Sequence, residues 1–272
     1  MKIMKRTMKY FLLALVMVLA SCGTTRTVPI TGRKQSLMVS DEQVLALSQQ
    51  EYTKYMSTAK KSADTKNTTM VRNVGQKLAT AVENYLRQNG MESELSQYQW
   101  EFNLVQDKNI NAFCMPGGKI VVYEGLLPVT QNETSLAIVL GHEIAHAVAK
   151  HSAEQMSKQV KQSYGTQAIG VLGTVVGVDA NMTSIVQSVA QTGFSFANLK
   201  YSRSHETEAD YIGLILAAMA GYNPQEAVPF WQRMAQMTGS SGSDIFSDHP
   251  SDATRIANIQ KWLPEAMKYY KK

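Results

Sequence analysis

The stretch Gly141-His142-Glu143-Ile144-Ala145-His146 holds three residues whose types and spacing could build a hydrolytic metal centre. Positions four apart share one face of an α-helix, so His142 and His146 can direct both imidazoles at one ion. Neutral imidazole suits zinc, and a catalytic zinc needs three protein ligands and an open position for water. Glu143 would lie about 100° round the helix from His142, near enough to take a proton from that water without joining the ligands. The five-residue pattern alone is only moderately specific. Its neighbours strengthen it, because Ala137, Ile138, Ala145, Val148 and Ala149 make the histidine side apolar and the pair partly buried.

A third ligand must come from elsewhere, and residues 202–210, SRSHETEAD, offer acids at helical spacing. Glu206 and Asp210 share a face. One can ligate the metal while the other accepts a hydrogen bond from a ligand imidazole and fixes its tautomer. Glu208 points roughly 160° from the middle of that face and reads as a surface or structural carboxylate. Three further histidines need placing. His151, next to Lys150, is expected on the solvated flank of the motif helix. His205 is expected in the capping turn of the acidic helix, pointing away from the metal. His249, in Asp248-His249-Pro250, is either a turn residue before an N-cap or a mobile fourth ligand that blocks the open position until substrate arrives; stabilising an oxyanion is a third role open to it.

Elements must position these groups. The pattern turns helical from about Glu133, and again from about Ser204 to Ala220, where Gly221 ends it and Pro224 opens the next helix. Ser40 before Asp41-Glu42 reads as an N-cap with acids in the first turn, opening a helix to about residue 60. Residues 67–89 place Met70, Val74, Leu78, Val82 and Leu86 at four-residue steps and close at Asn89-Gly90. Tyr98 to Gln106 alternates like a strand. Two more short strands are expected at Ala112–Met115 and Lys119–Tyr123, turned by Pro116-Gly117-Gly118. Gly118–Tyr123 has the character of a sheet edge that could take substrate as an added strand, or of plain sheet core. Residues 162–178 carry no charge and four glycines. They read as a small-residue helix packed on the core, with a membrane-touching or lid segment as the alternative. Residues 238–252 read as a flexible loop before a last amphipathic helix, and no internal repeat is visible.

The 272 residues, 44% hydrophobic and 18% charged, belong to a globular chain. Residues 1–21 hold four of the 27 basic residues (Lys2, Lys5, Arg6 and Lys9) and no acid, leaving 23 basic against 22 acidic. That balance gives no surplus charge for a nucleic-acid partner. The basic start and the apolar run FLLALVMVLA have the form of a secretory leader. Leu19-Ala20-Ser21-Cys22-Gly23 resembles the bacterial lipobox, where cleavage leaves an acylated Cys22; several acyl chains on one residue anchor stably. Cys114 would then be the sole remaining cysteine, and no intrachain disulfide could form. The expected organisation is a leader at 1–21, an anchor and tether at 22–39, and a single domain at 40–272.

Together HEIAH and ETEAD resemble the gluzincin metallopeptidases related to HtpX, Oma and the CAAX-prenyl protease. VPITGRKQ (28–35), NAFCMPGGKIVVYEGLL (111–127), YSRSHETEADYIG (201–213) and DHPSDATRI (248–256) are similar to segments of the secreted bacterial branch. The resemblance implies a predominantly helical α+β fold of zincin type, with a small three-stranded sheet beside the active-site helix. It implies one zinc per chain, with His142, His146 and Glu206 as ligands, Glu143 as the base and Asp210 supporting a ligand. It supports His249 over the cleft. Two features depart from the pattern: Cys114 stands where a small or apolar residue is usual, and the transmembrane helices of HtpX are missing, which argues against membrane-embedded substrates.

The implied function is a lipid-anchored zinc endopeptidase of the bacterial envelope. It would face the periplasm, at the outer membrane given Gly23 after Cys22, and cleave unfolded or misassembled polypeptides. The alternative is a chaperone or assembly scaffold with a silent or structural zinc. Glu143 separates the two, since a structural site has no use for a base. No tetratricopeptide repeats supply a partner-binding part.

Overall fold

The structure, a computed structural model, describes residues 24–170, 186–189, 193–241 and 253–271. Its first element is a hairpin in which β1 (Thr24–Thr27) pairs antiparallel with β2 (Lys34–Leu37), Thr24 opposite Leu37 and Thr27 opposite Lys34. Threonine-rich chain favours extended backbone, and Val28, Leu37 and Val39 are buried around it. Residues 24–39 are therefore a built part of the domain and not the tether expected, because these apolar side chains fasten the hairpin to the core. Cys22 and the leader lie outside the described residues.

α1 (Asp41–Thr58) opens with a capping box: Ser40 Oγ accepts from the Gln43 N–H and Gln43 Oε1 accepts from the Ser40 N–H. α2 (Thr65–Gln88) buries Val74, Leu78, Val82 and Leu86, the stripe its four-residue steps require, while Met70 is half-buried. β3 (Glu101–Val105), β4 (Ala112–Met115) and β5 (Lys119–Tyr123) form a sheet of order β3-β5-β4, with β3 parallel and β4 antiparallel to β5. Gly117 (φ 87°) and Gly118 (φ 80°) make the β4–β5 turn in the left-handed region. β5 pairs on both sides and is the centre of the sheet. The edge role expected for Gly118–Tyr123 is thus corrected: both ladders consume its backbone groups, and the edge strand beside the histidines is β4.

α3 (Glu133–Val148) is apolar on all sides and buried, packed against α2, β4 and α5 (Arg203–Met219), as a helix without a polar face must be. α3 and α5 cross at two glycines. A Cβ on Gly213 would stand 2.6 Å from the His142 nitrogen, and one on Gly141 would stand 2.7 Å from the Gly213 oxygen. Only glycine allows that approach, and it brings the helix carrying Glu206 and Asp210 against the helix carrying the histidines. Lys150, at φ 54°, breaks the chain between α3 and α4 (His151–Gly170). α6 (Ala227–Ser241) and α7 (Ala253–Ala266) complete the fold, with α7 packed on α5. The architecture is helical α+β with a small three-stranded sheet beside α3, as the resemblance implies. No helix among the described residues is long and apolar enough to cross a membrane. Of the uncharged segment 162–178, residues 162–170 end α4, while the rest, with Gly173 and Gly177, lies outside the described residues.

Candidate metal centre

His142 and His146 are one turn apart on α3, with 2% and 1% of their surface exposed. His142 Nε2 lies 3.2 Å from His146 Nε2, and Glu206 brings Oε2 to 3.4 Å from the first and Oε1 to 3.5 Å from the second. Ligand atoms about 2.0–2.2 Å from one tetrahedral zinc stand about 3.3–3.5 Å apart, so these three donors fit a single ion. The outer ring nitrogens support the same conclusion. His142 Nδ1 is 2.8 Å from Asp210 Oδ1, a carboxylate that only accepts, so Nδ1 carries the proton and Nε2 presents a lone pair. His146 Nδ1 is 2.9 Å from His151 Nδ1, whose other nitrogen is 3.0 Å from Glu208 Oε2. By the same logic His151 Nε2 donates to Glu208, His151 Nδ1 accepts from His146, and His146 Nε2 also presents a lone pair. Two lone pairs facing each other across 3.2 Å beside a carboxylate are well placed to share a cation.

Arg255 on α7 partly offsets the carboxylate charges around the three donors. Its Nε donates to Asp210 Oδ2 at 2.7 Å and its Nη2 to Glu206 Oε2 at 3.1 Å, while the guanidinium lies 4.0 Å above the Trp231 ring. Burial opposes ionisation of Asp210, but Arg255 and His142 outweigh it and hold the carboxyl below its ordinary range. Burial likewise opposes a charge on His142, yet hydrogen bonds to Asp210 and Glu206 lift its pKa to about 9. A pocket that attracts a proton so strongly attracts a metal cation for the same electrostatic reason.

Glu143, 2% exposed, lines a small pocket with Ala112, Cys114, Phe196, Leu199 and Tyr201. The Tyr201 ring stacks on His146 with centroids 4.0 Å apart, and its hydroxyl is 2.8 Å from Ser152 Oγ. Glu51 on α1 fastens the far wall, accepting from Ser195 Oγ at 2.6 Å and from the N–H groups of Phe196 at 2.9 Å and Ala197 at 3.3 Å. Cys114 is buried and free, its thiol pushed up by burial and by Glu143.

The structure thus brings His142, His146, Glu206, Asp210 and Glu143 to one place, while His249 lies outside the described residues. One histidine differs from expectation. His151 is fully buried beneath His146 instead of on a solvated flank, because the break at Lys150 turns it back under the preceding helix. His205 sits in the first turn of α5, its N–H donating to Ser202 Oγ, with its ring buried and stacked on His151 at 4.3 Å. Of the two roles open to it, Glu208 takes the structural one. It accepts from Thr31 Oγ1 at 2.6 Å and from Arg33 Nε at 2.7 Å. Burial alone would raise its pKa, but His151, Thr31 and Arg33 together lower it to about 2. Arg255 has no spacing relation to either motif, and its presence in DHPSDATRI was its sole signal.

A family model described as Peptidase family M48 matches residues 71–263. The mitochondrial metalloendopeptidase OMA1 of Schizosaccharomyces pombe is 39% identical over 176 residues, covering 64% of this chain and 50% of that protein. The mitochondrial metalloendopeptidase OMA1 of Homo sapiens is 32% identical over 247 residues, covering 88% of this chain and 46% of that protein. The beta-barrel assembly-enhancing protease of Escherichia coli is 28% identical over 167 residues, covering 59% of this chain and 34% of that protein. The chain spans about half the length of the first of these relatives and less of the others.

Proposed function

The chain belongs to peptidase family M48, and from that premise we propose that it is a zinc-dependent endopeptidase. One observation carries the reading: three buried donors converge on one point, and a carboxylate from the same helix lines the adjoining cleft. His142, His146 and Glu206 would hold the zinc. When bound, the ion supplies a Lewis acid that polarises a carbonyl and brings the pKa of water in its open position to near neutrality. Glu143 takes the proton of the attacking water and delivers it to the departing amine. The substrate backbone pairs with β4, whose edge borders Glu143, and main-chain hydrogen bonds supply affinity without demanding a sequence. Asp210 and Arg255 hold His142 and Glu206 in place and keep the buried charges matched.

The finer expectations form part of the same proposal. Anchoring through Cys22 and an envelope position facing the periplasm at the outer membrane are supported by the resemblance of residues 19–23 to a lipobox, and action on unfolded or misassembled polypeptides belongs to the same reading. The name of the Escherichia coli relative, a beta-barrel assembly-enhancing protease, adds to that support. The gating role of His249 is supported by Arg255. Arg255 follows His249 by six positions, a length of chain that spans at most about 20 Å, and Arg255 touches Glu206.

The test is digestion of an unfolded protein by the purified, unlipidated chain before and after metal stripping. Cleavage should disappear with chelator and return with zinc. Cleavage that persists in the fully stripped protein would refute the zinc mechanism.

A further inference from the structure

His146 is supported by a chain of groups that, apart from Glu208, lie outside both motifs, running from the metal centre to the N-terminal hairpin. His151 lies 2.9 Å from His146 Nδ1 and 3.0 Å from Glu208 Oε2. The Glu208 carboxylate is held by Thr31 and Arg33, and the Arg33 terminal nitrogens reach Glu154 at 3.0 and 2.7 Å. His151 is fully buried between the His146 edge and the His205 face. We infer that His151 is a positioning residue for His146, and that Thr31 and Arg33, acting through Glu208, make the N-terminal turn part of the metal centre.

The hydrogen-bond directions give the mechanism. Glu208 only accepts, so it selects the His151 tautomer with hydrogen on Nε2 and a lone pair on Nδ1. That lone pair in turn selects the His146 tautomer with hydrogen on Nδ1, which turns the Nε2 lone pair toward His142 and Glu206. Support by a neutral imidazole also sets the Glu208 charge one ring farther from Glu206 and Asp210 than a directly bonded carboxylate would be. Arg33 neutralises it there. The backbone of the turn is held in an unfavourable shape to do this. Ile30, a β-branched residue, sits at φ 68° with its N–H donating to Tyr85 Oη at 3.0 Å, and strain of this kind persists only where the surroundings enforce it. This accounts for VPITGRKQ, which reads as tether and carries no recognisable chemistry of its own.

The inference rests on the zinc reading, so the experiment measures metal binding and stability separately. Zinc affinity is determined by chelator competition for the full chain, His151→Phe, His151→Gln, Arg33→Ala and the surface control Arg87→Ala. Thermal unfolding of each is followed with and without zinc. His151→Phe should weaken zinc by about 10–100-fold, with a smaller zinc-dependent rise in Tm. His151→Gln, which keeps an amide to accept from His146 and donate to Glu208, should recover part of the affinity. Arg33→Ala should weaken zinc several-fold, and it gives the same reading at a half-buried position if His151→Phe fails to fold. A zinc affinity for His151→Phe, or for Arg33→Ala, equal to that of Arg87→Ala would overturn the inference, even if the metal-free Tm falls. A wild-type chain that binds no zinc would overturn the zinc reading and this inference with it.

Discussion

His142 and His146 sit one turn apart on the same helix, but the groups behind their rings differ in charge and in depth. Behind His142 stand Asp210 and its partner Arg255, 7% and 4% exposed, an ion pair sealed between α5, α7 and α3. Behind His146 stands the neutral ring of His151, and the charges begin only at Glu208 and Arg33, where the protein meets solvent. The first arrangement is costly to disturb, since removing one member leaves a buried ion without its partner. The second is softer, because each link is one hydrogen bond and its outermost ions are screened. One metal centre is therefore held rigidly on its C-terminal side and adjustably on its N-terminal side.

Asp210→Ala attacks the sealed side and should have the largest effect, a loss of about 3–5 kcal/mol in urea unfolding together with loss of zinc. Asp210→Asn, which keeps the shape, should lose less. If Asp210→Ala unfolds like the wild type, the sealed cluster is not what holds α5 and α7 together. Glu208→Gln attacks the softer side and should cost about 1–3 kcal/mol. Equal losses from Glu208→Gln and Asp210→Ala would erase the contrast drawn here. Acidification should separate the two sides further. The carboxyls of Glu154 and Glu208, held at about 2 against an ordinary 4.5, both belong to the soft side. A carboxyl whose pKa is lower folded than unfolded adds stability above its unfolded value and loses it as pH falls through the folded one. The urea midpoint should therefore decline between about pH 4.5 and about pH 2, and Arg33→Ala should flatten that decline. An unchanged slope in Arg33→Ala would show that Arg33 does not set these carboxyls.

The same contrast governs what the sequence makes legible. His142 with His146, and Glu206 with Asp210, are related by four-residue steps along unbroken helices, and Glu143 directly follows His142, so their geometry follows from spacing alone. Strand limits at Ala112–Met115 and Lys119–Tyr123 are likewise marked by the turn between them. His151 is hidden because its direction depends on the left-handed Lys150, where no glycine announces a break. The hairpin of residues 24–39 is hidden because two four-residue strands carry too short an alternation to register, though Thr24-Thr25-Arg26-Thr27 is extended-favouring chain. Arg255 and Thr31 act across folds of the chain that no local period reports. Pairing of β5 on both sides, which moved the sheet edge to β4, is a matter of strand order and not of strand sequence.

The measurement that bears most directly on the account is parallel zinc analysis and peptide-bond cleavage for the wild type and Glu143→Gln. Glu143 is on the histidine helix but outside the converging donors, so its amide should leave zinc content at one per chain while cleavage falls by about 100–10,000-fold. Undiminished cleavage by zinc-loaded Glu143→Gln would contradict the proposed mechanism, and a zinc-loaded wild type that cleaves nothing would point instead to a binding or scaffold role.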